Sequence, residues 1–473
     1  MIILILLTTL GFSCKKSFLE ILPKGKLIAT TTNDYQLSLG SLNLINMNTG
    51  GQIPMGDEVA AVDPYFTGTN LRAQRLFRWD DEVYQPSEDA AELTVPMSNI
   101  YLFNKVINEV MNSTDGTDQD KKSVRAQAKA GRAWTYFLLI NYYGKPYNPT
   151  SAETDPGFPI ILAADVNQTK FSRASVKEVY DFIINDLTEA LPDLPAKTTH
   201  RVLMSKAAAE GLLGKVYTFM GNYDKALPLL SNCIAGIAVA DIPVRLYDYN
   251  VAFAPGGSFL PIGLFGANIP VAVNNYENIY AKQAFNTWTF SSNEFVVSQQ
   301  TVELYGASDL RLKCYSTMPF PSGNVLPNSM LRRNSPTSGH IGVIVPDIYL
   351  LIAECKARLD DLDGATTDLT TFRENRMPAE DAGVPSNIAS DKVSLVKFIL
   401  EERIREFAML GFRWFDMRRL STDPAYSATV GTTHNVYDAS GNITGTYTLK
   451  PERLVMRFPQ KLINQNPGME NNP

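Results

Sequence analysis

The sequence predicts a mainly α-helical fold: tetratricopeptide-like helical repeats in an α-α superhelix, interrupted by a long irregular loop-rich region and joined to a small β-hairpin. Three observations predict it. Residues 175–195 carry an intact amphipathic stripe, and residues 207–240 set small and large side chains in the register of a paired-helix repeat. Residues 241–290 and 314–346 are rich in Pro, Gly, Asn and aromatics but show no sustained period.

The chain opens with thirteen uncharged residues that end at Cys14 and turn basic at Lys15 and Lys16. A run of this length is too short to span a bilayer but fits the apolar core of a cleaved export signal. Residues 1–13 are therefore read as a lipoprotein signal peptide and Cys14 as the acylated first residue of the mature protein. The rest, 14–473, is read as a single body with helical repeat units near 98–143, 175–240 and 346–420.

Within that body, Ser175 and Glu178 form a capping box, Val176, Val179, Tyr180, Ile183, Ile184, Leu187 and Leu191 line one helical face, and Pro192 ends it. The next pair is more specific. Leu213, Gly214, Tyr217, Gly221, Tyr223, Ala226, Leu230 and Cys233 match the positions of a tetratricopeptide repeat, whose period is about 34 residues. Gly214 and Ala226 let two helices approach, larger residues fill the seam, and Gly221-Asn222-Tyr223-Asp224 supplies the turn. Tyr349, Ile352, Ala353, Leu362, Ala365 and Leu369 repeat the register more plainly. Helices around 98–112 and 122–143 have the length to extend the stack, which a single repeat cannot stabilise alone. The segment 422–450, with Asp438-Ala439-Ser440-Gly441-Asn442 between two β-prone runs, reads as a β-hairpin decorating the helical body.

Composition narrows the function. A net charge of −6 and the lack of any Lys/Arg block argue against nucleic acid as a partner. The four cysteines form no CxxC pair and the three histidines lie far apart, so little material exists for a metal site. No HExxH, GxSxG, Walker A or GxGxxG motif is present. No cofactor, metal ligand or catalytic residue is assigned.

Four segments together resemble one family. CKKSFLEILPKG at 14–25 is similar to its acylated mature start and SVKEVYDFIINDLTEALPDLP at 175–195 to its central helix. EERIREFAMLGFRWFDMRRL at 401–420 is similar to its most recognisable helix, and MRFPQKLINQNPGMENNP at 456–473 to its C-terminal tail. On these residues the chain resembles the SusD/RagB family, surface lipoproteins of Bacteroidetes that capture nutrients, chiefly glycans. The resemblance implies four tetratricopeptide-like units under an irregular ligand-binding region, and binding without turnover. It also implies hand-off to a TonB-dependent, SusC-like outer-membrane transporter, with the protein itself held at the outer membrane by lipid, facing the cell surface. Peptide or glycopeptide capture on the same scaffold is the alternative, and a glycan-processing hydrolase with a hidden carboxylate pair a less favoured one.

The charges around Trp414 invite a catalytic reading, but Glu401 to Arg405 and Asp416 to Arg419 have ordinary helical pairing distances, so a structural role is expected. Ligand residues are expected instead in loops near 50–90 and 241–345, where aromatics lie beside polar planar groups. Sugars offer an apolar face and a hydroxyl rim, which stacking rings and Asn, Asp or Arg side chains complement. The candidates are Asp57, Tyr65, Arg72 and Trp79 in the first loop and Asn275, Tyr276, Tyr280 and Trp288 in the second, with Trp288 expected to contribute most.

Overall fold

The computed structural model describes residues 29–47, 50–285 and 292–473. Cys14 and Trp288 therefore lie outside the described residues. The chain is helix-rich. Nine helices carry the present argument: α1 (Ala91–Glu109), α2 (Asp118–Tyr143), α3 (Val176–Ala190), α4 (Lys206–Phe219), α5 (Tyr223–Ile237), α6 (Val345–Arg358), α7 (Leu362–Glu374), α8 (Lys392–Phe407) and α9 (Arg413–Ser421). Helices consecutive in sequence pack on each other in the pairs α1/α2, α2/α3, α4/α5 and α6/α7, and α6 also packs on α5 and α8.

Local chemistry accounts for where these helices begin. The Ser175 side chain accepts from the Glu178 backbone while the Glu178 carboxylate accepts from the Ser175 N–H, the reciprocal box the sequence predicts. Thr117 and Asp120 build a second such box at the start of α2. In the α4/α5 seam a Cβ on Gly214 would stand 2.7 Å from Leu230 Cγ, so only glycine permits this approach. Ala226, Leu230 and Cys233 are fully buried there, and Gly221 takes φ +77° in the turn between the helices. Ala353, Ala365 and Leu369 occupy the equivalent seam of α6 and α7.

Two expectations are corrected. The hairpin near 422–450 does form, as β3 (Thr433–Tyr437) and β4 (Ile443–Thr448), but it is no decoration. It completes a four-stranded sheet with β1 (Val59–Val62) and β2 (Phe295–Val297), in the order β4-β3-β1-β2, with β3 parallel to β1. That pairing joins segments far apart in sequence, which no local pattern announces. His434 of β3 is buried between the rings of Phe77 and Trp79, 4.4 and 3.8 Å away, and its ring nitrogens lie 2.7 Å from the carbonyl oxygens of Phe77 and Gly56.

The second correction concerns residues 401–420, expected as one helix with local ion pairs from Glu401 to Arg405 and from Asp416 to Arg419. They span the end of α8 and all of α9, separated by a turn in which Met409 has φ +58° and Gly411 φ +88°. Asp416 does pair with Arg419 at 2.8 Å, but Glu401 and Arg405 are 3.9 Å apart and Arg405 turns instead to Glu402 at 2.9 Å. Most partners come from other helices. Glu402 also receives Arg311 at 2.7 Å and Arg373 at 2.5 Å, Arg403 reaches Asp347 at 2.9 Å, and Arg419 reaches Glu354 at 2.7 Å. All of these groups except Glu401 are buried. Burial by itself would raise the carboxyl of Glu402, yet Arg311, Arg405 and Arg373 hold it well below the usual range. Buried carboxylates of this kind require their cations, so the network clamps helices together.

Candidate functional site

The pairing of β1 with β2 decides which loops meet. Their antiparallel register sets Ala61 opposite Phe295, so the chain leaving β1 and the chain entering β2 emerge at the same sheet end. The first is the loop of Tyr65; the second is the stretch Ser292, Asn293 and Glu294. Val62 N–H donates to the Glu294 carbonyl at 3.3 Å, and the Thr69 hydroxyl donates to the Glu294 carboxylate at 3.3 Å.

A short helix at Tyr65–Gly68 turns its two aromatics in different directions. Phe66 is buried against Phe77 and Phe295, with ring centroids 5.0 and 6.1 Å away, whereas Tyr65 is exposed. The line of contacts continues from Glu294 to its neighbour Asn293, whose side-chain amide donates to the Phe320 carbonyl at 2.9 Å and accepts from the Phe320 N–H at 2.7 Å. The Phe320 ring lies 6.2 Å from that of Phe265. Phe265 is 57% exposed, at the tip of a tight turn closed by Gly263 and Gly266, where Gly266 takes φ +81° against Asn334. On the other flank the β3–β4 hairpin reaches the same rim, with the Thr444 hydroxyl 3.4 Å from the Asp63 carboxylate. Exposed rings beside Asp63 and Glu294 can meet both the apolar face and the hydroxyls of a sugar.

The other sequence candidates sit differently. Asp57 is bound bidentately by Arg413, at 2.5 and 2.7 Å, and so holds α9 to the start of β1. Arg72 pairs with the buried Glu92 and donates to the Tyr84 hydroxyl at 3.1 Å. Trp79 is 5% exposed, with its indole N–H donating to the Met55 carbonyl at 3.0 Å. Tyr280 and Asn275 are buried as well, the Asn275 side chain accepting from the Glu277 N–H at 2.8 Å. Trp79, Tyr280 and Asn275 therefore present no face to solvent, because long-range strand pairing encloses segments that look like open loops in sequence. Tyr276 is half-buried and stacks on Tyr247, 5.6 Å away. Phe265 was the residue sequence reasoning missed; its signal is a pair of large apolar residues, Leu264 and Phe265, caught between turn glycines with no helical or strand stripe to bury them. Among the described residues no cluster of His, Cys, Asp and Glu could hold a metal ion.

Comparison with known proteins agrees with this architecture. Residues 18–218 match the model of a family described as starch-binding and associating with the outer membrane, and residues 345–473 match that of the SusD family. The chain belongs to the SusD/RagB family. Its similarity to the SusD-like protein P2 of Formosa agariphila is 24% identity over 350 residues, 64% of this chain and 66% of that one, just under two thirds of the relative's length. Among solved structures, a SusD superfamily protein of Bacteroides thetaiotaomicron superposes with a TM-score of 0.72 at 17% identity, over 94% of this chain and all of that one. A SusD-like carbohydrate binding protein of Bacteroides vulgatus superposes with a TM-score of 0.64 at 17% identity, over 93% of this chain and 99% of the other. SusD-family proteins associate with the outer membrane. No described helix is long and apolar enough to cross one.

Proposed function

We propose that this chain is a lipoprotein, anchored through Cys14 and facing the cell surface, that captures glycans and passes them unaltered to a TonB-dependent, SusC-like transporter. The observation that carries the reading is the β1–β2 pairing within a SusD-family fold. It supports a ligand rim that includes the exposed Tyr65 and, through Asn293 and Phe320, the Phe265 turn beside the entry to β2. Capture without turnover is supported by the state of the densest charge cluster, whose carboxylates Glu402, Glu406, Asp416 and Glu354 are each bound by arginine. The repeat reading of α4/α5 and α6/α7 belongs to the same proposal, supported by the small-residue seams at Gly214 and Ala365. So does the reading of 14–473 as a single body.

Isothermal titration against a panel of oligosaccharides tests the function. Binding is expected in the micromolar to millimolar range, with the sugar recovered intact. Tyr65→Ala, Phe265→Ala and Trp288→Ala should each weaken it at least about tenfold, equivalent to about 1.4 kcal/mol. Binding of peptides in place of any sugar would overturn the glycan reading, and hydrolysis of the sugar would overturn the absence of turnover. Mass spectrometry of the native N-terminus tests the anchor: a diacylated or triacylated Cys14 is expected, and an intact Met1 would sink it.

A further inference from the structure

Most buried arginines among the described residues are answered by a carboxylate, and Arg333 and Arg418, which are not, each donate to two or more carbonyl or hydroxyl oxygens. Arg132 meets Asp186 at 2.8 Å, Arg376 meets Glu406 at 2.8 Å, and Arg403 meets Asp416 at 2.8 Å. Arg201 has less than these, a single side-chain hydrogen bond among the described residues. It is 6% exposed, one amino group reaches the Pro243 carbonyl, its Nε has no hydrogen-bond partner, and no carboxylate lies within ion-pair distance. Burial pulls its pKa down, as expected of a desolvated cation with no compensating charge.

A second unanswered arginine stands beside it. The guanidinium carbons of Arg201 and Arg245 lie 5.6 and 5.3 Å from the centroid of the same ring, that of Tyr276. Arg245 is exposed and makes no ion pair among the described residues. The ring they share is fixed: it stacks on Tyr247 with an interplanar angle of 13°, the Tyr276 N–H donates to the Tyr247 hydroxyl at 3.2 Å, and the Arg245 N–H donates to the Tyr276 carbonyl at 2.9 Å. The acidic neighbours along the chain are committed elsewhere. Glu277 binds Arg376 at 2.8 Å and accepts from the Tyr247 N–H at 3.0 Å, and Asp241 pairs with Lys197 at 2.9 Å.

Both guanidinium groups keep N–H donors without a carboxylate partner among the described residues, beside one fixed ring. Guanidinium groups match planar or tetrahedral oxyanions through paired N–H donors. We propose that Arg201 and Arg245, held by Tyr276, form an oxyanion-binding site, and that its ligand is a carboxylate or sulfate ester carried on an acidic glycan. The choice of glycan rests on the function proposed above. Tyr276 and Phe265 belong to one segment whose ends, Tyr247 and Tyr276, are stacked, and this shared segment is what links the arginines to the proposed glycan rim.

The test compares wild type with Arg245→Ala and Arg245→Lys, since Arg245 is exposed and its loss leaves the core intact. Tetragalacturonate probes the carboxylate, a sulfated carrageenan tetrasaccharide the sulfate ester, and maltotetraose serves as the neutral control, each titrated at low ionic strength. At least one acidic probe should bind at least tenfold tighter than maltotetraose. That preference should shrink with added salt, vanish in Arg245→Ala and persist in part in Arg245→Lys. Equal affinity for acidic and neutral probes, or a preference that survives in Arg245→Ala, overturns the proposal while leaving glycan capture standing. Inorganic sulfate separates the two failures: if no sugar binds, sulfate should still raise the melting temperature of wild type and not that of Arg245→Ala. Absence of that difference overturns the oxyanion site itself.

Discussion

Asp57 and Glu58 are adjacent carboxyl groups with opposite fates. Arg413 neutralises Asp57, whereas Glu58 is fully enclosed, with one carboxylate oxygen accepting from the Met409 N–H at 3.3 Å and the other unpartnered. Burial, aided by the Asp57 charge, pushes the Glu58 carboxyl up to about 8. Because the folded state then holds a proton that the unfolded state has lost, stability falls as pH rises from about 4.5 to about 8. Glu58→Gln should remove that slope and raise the melting temperature at pH 8 more than at pH 5; equal shifts at both would contradict the enclosure. Nothing in the sequence separates these two residues. The difference arises from α9, which brings Arg413 to one of them and leaves the other against the backbone of the turn before it.

The element scale shows where pattern and fold agree. The α4/α5 seam follows from its small residues, so Gly214→Leu should overpack it and destabilise by about 1–3 kcal/mol or more, measured by urea denaturation. Lys225→Ala, on the exposed side of α5, should stay within about 0.5 kcal/mol. Equal costs would mean that the seam is elsewhere. The turn between α8 and α9 follows a different logic. Its left-handed Met409 and Gly411 redirect the chain so that the charges of both helices point into the network. Burial would raise the Glu354 carboxyl, but Arg419 and Arg358 hold it down at about 2. A carboxylate depressed in this way contributes its full stability above pH about 4.5 and loses it as pH falls toward about 2. Stepwise acid titration followed by near-ultraviolet circular dichroism should show native tertiary signal kept below pH 4, and a cooperative loss at pH 5 would contradict the network.

At the scale of the whole molecule, the proposed function assigns binding and stability to different tryptophans. Trp414 is fully buried in α9, so Trp414→Ala should cost roughly 3–5 kcal/mol. Trp288→Ala should weaken glycan binding and leave the melt nearly unchanged; a large loss of stability from Trp288→Ala would remove it from the ligand surface. The sequence by itself determined the helix-rich character, the capped start of α3, the Gly214 seam, the two strands of the hairpin and the family, because each is written in periodicity, capping residues or short segments read in order. It also pointed to two loop regions as the place for ligand. Only the tertiary structure decided that β1 and β2 bring those regions together and that β3 locks beside them. The β3 strand buries Trp79 against His434, and a separate pairing of Asn278–Tyr280 with Val343–Ile344 buries Tyr280, while Tyr65 and Phe265 stay in solvent. The physical reason is that strand pairing and buried ion pairs join residues hundreds of positions apart, and the energy that selects such partners depends on what else is enclosed with them, which no local pattern records.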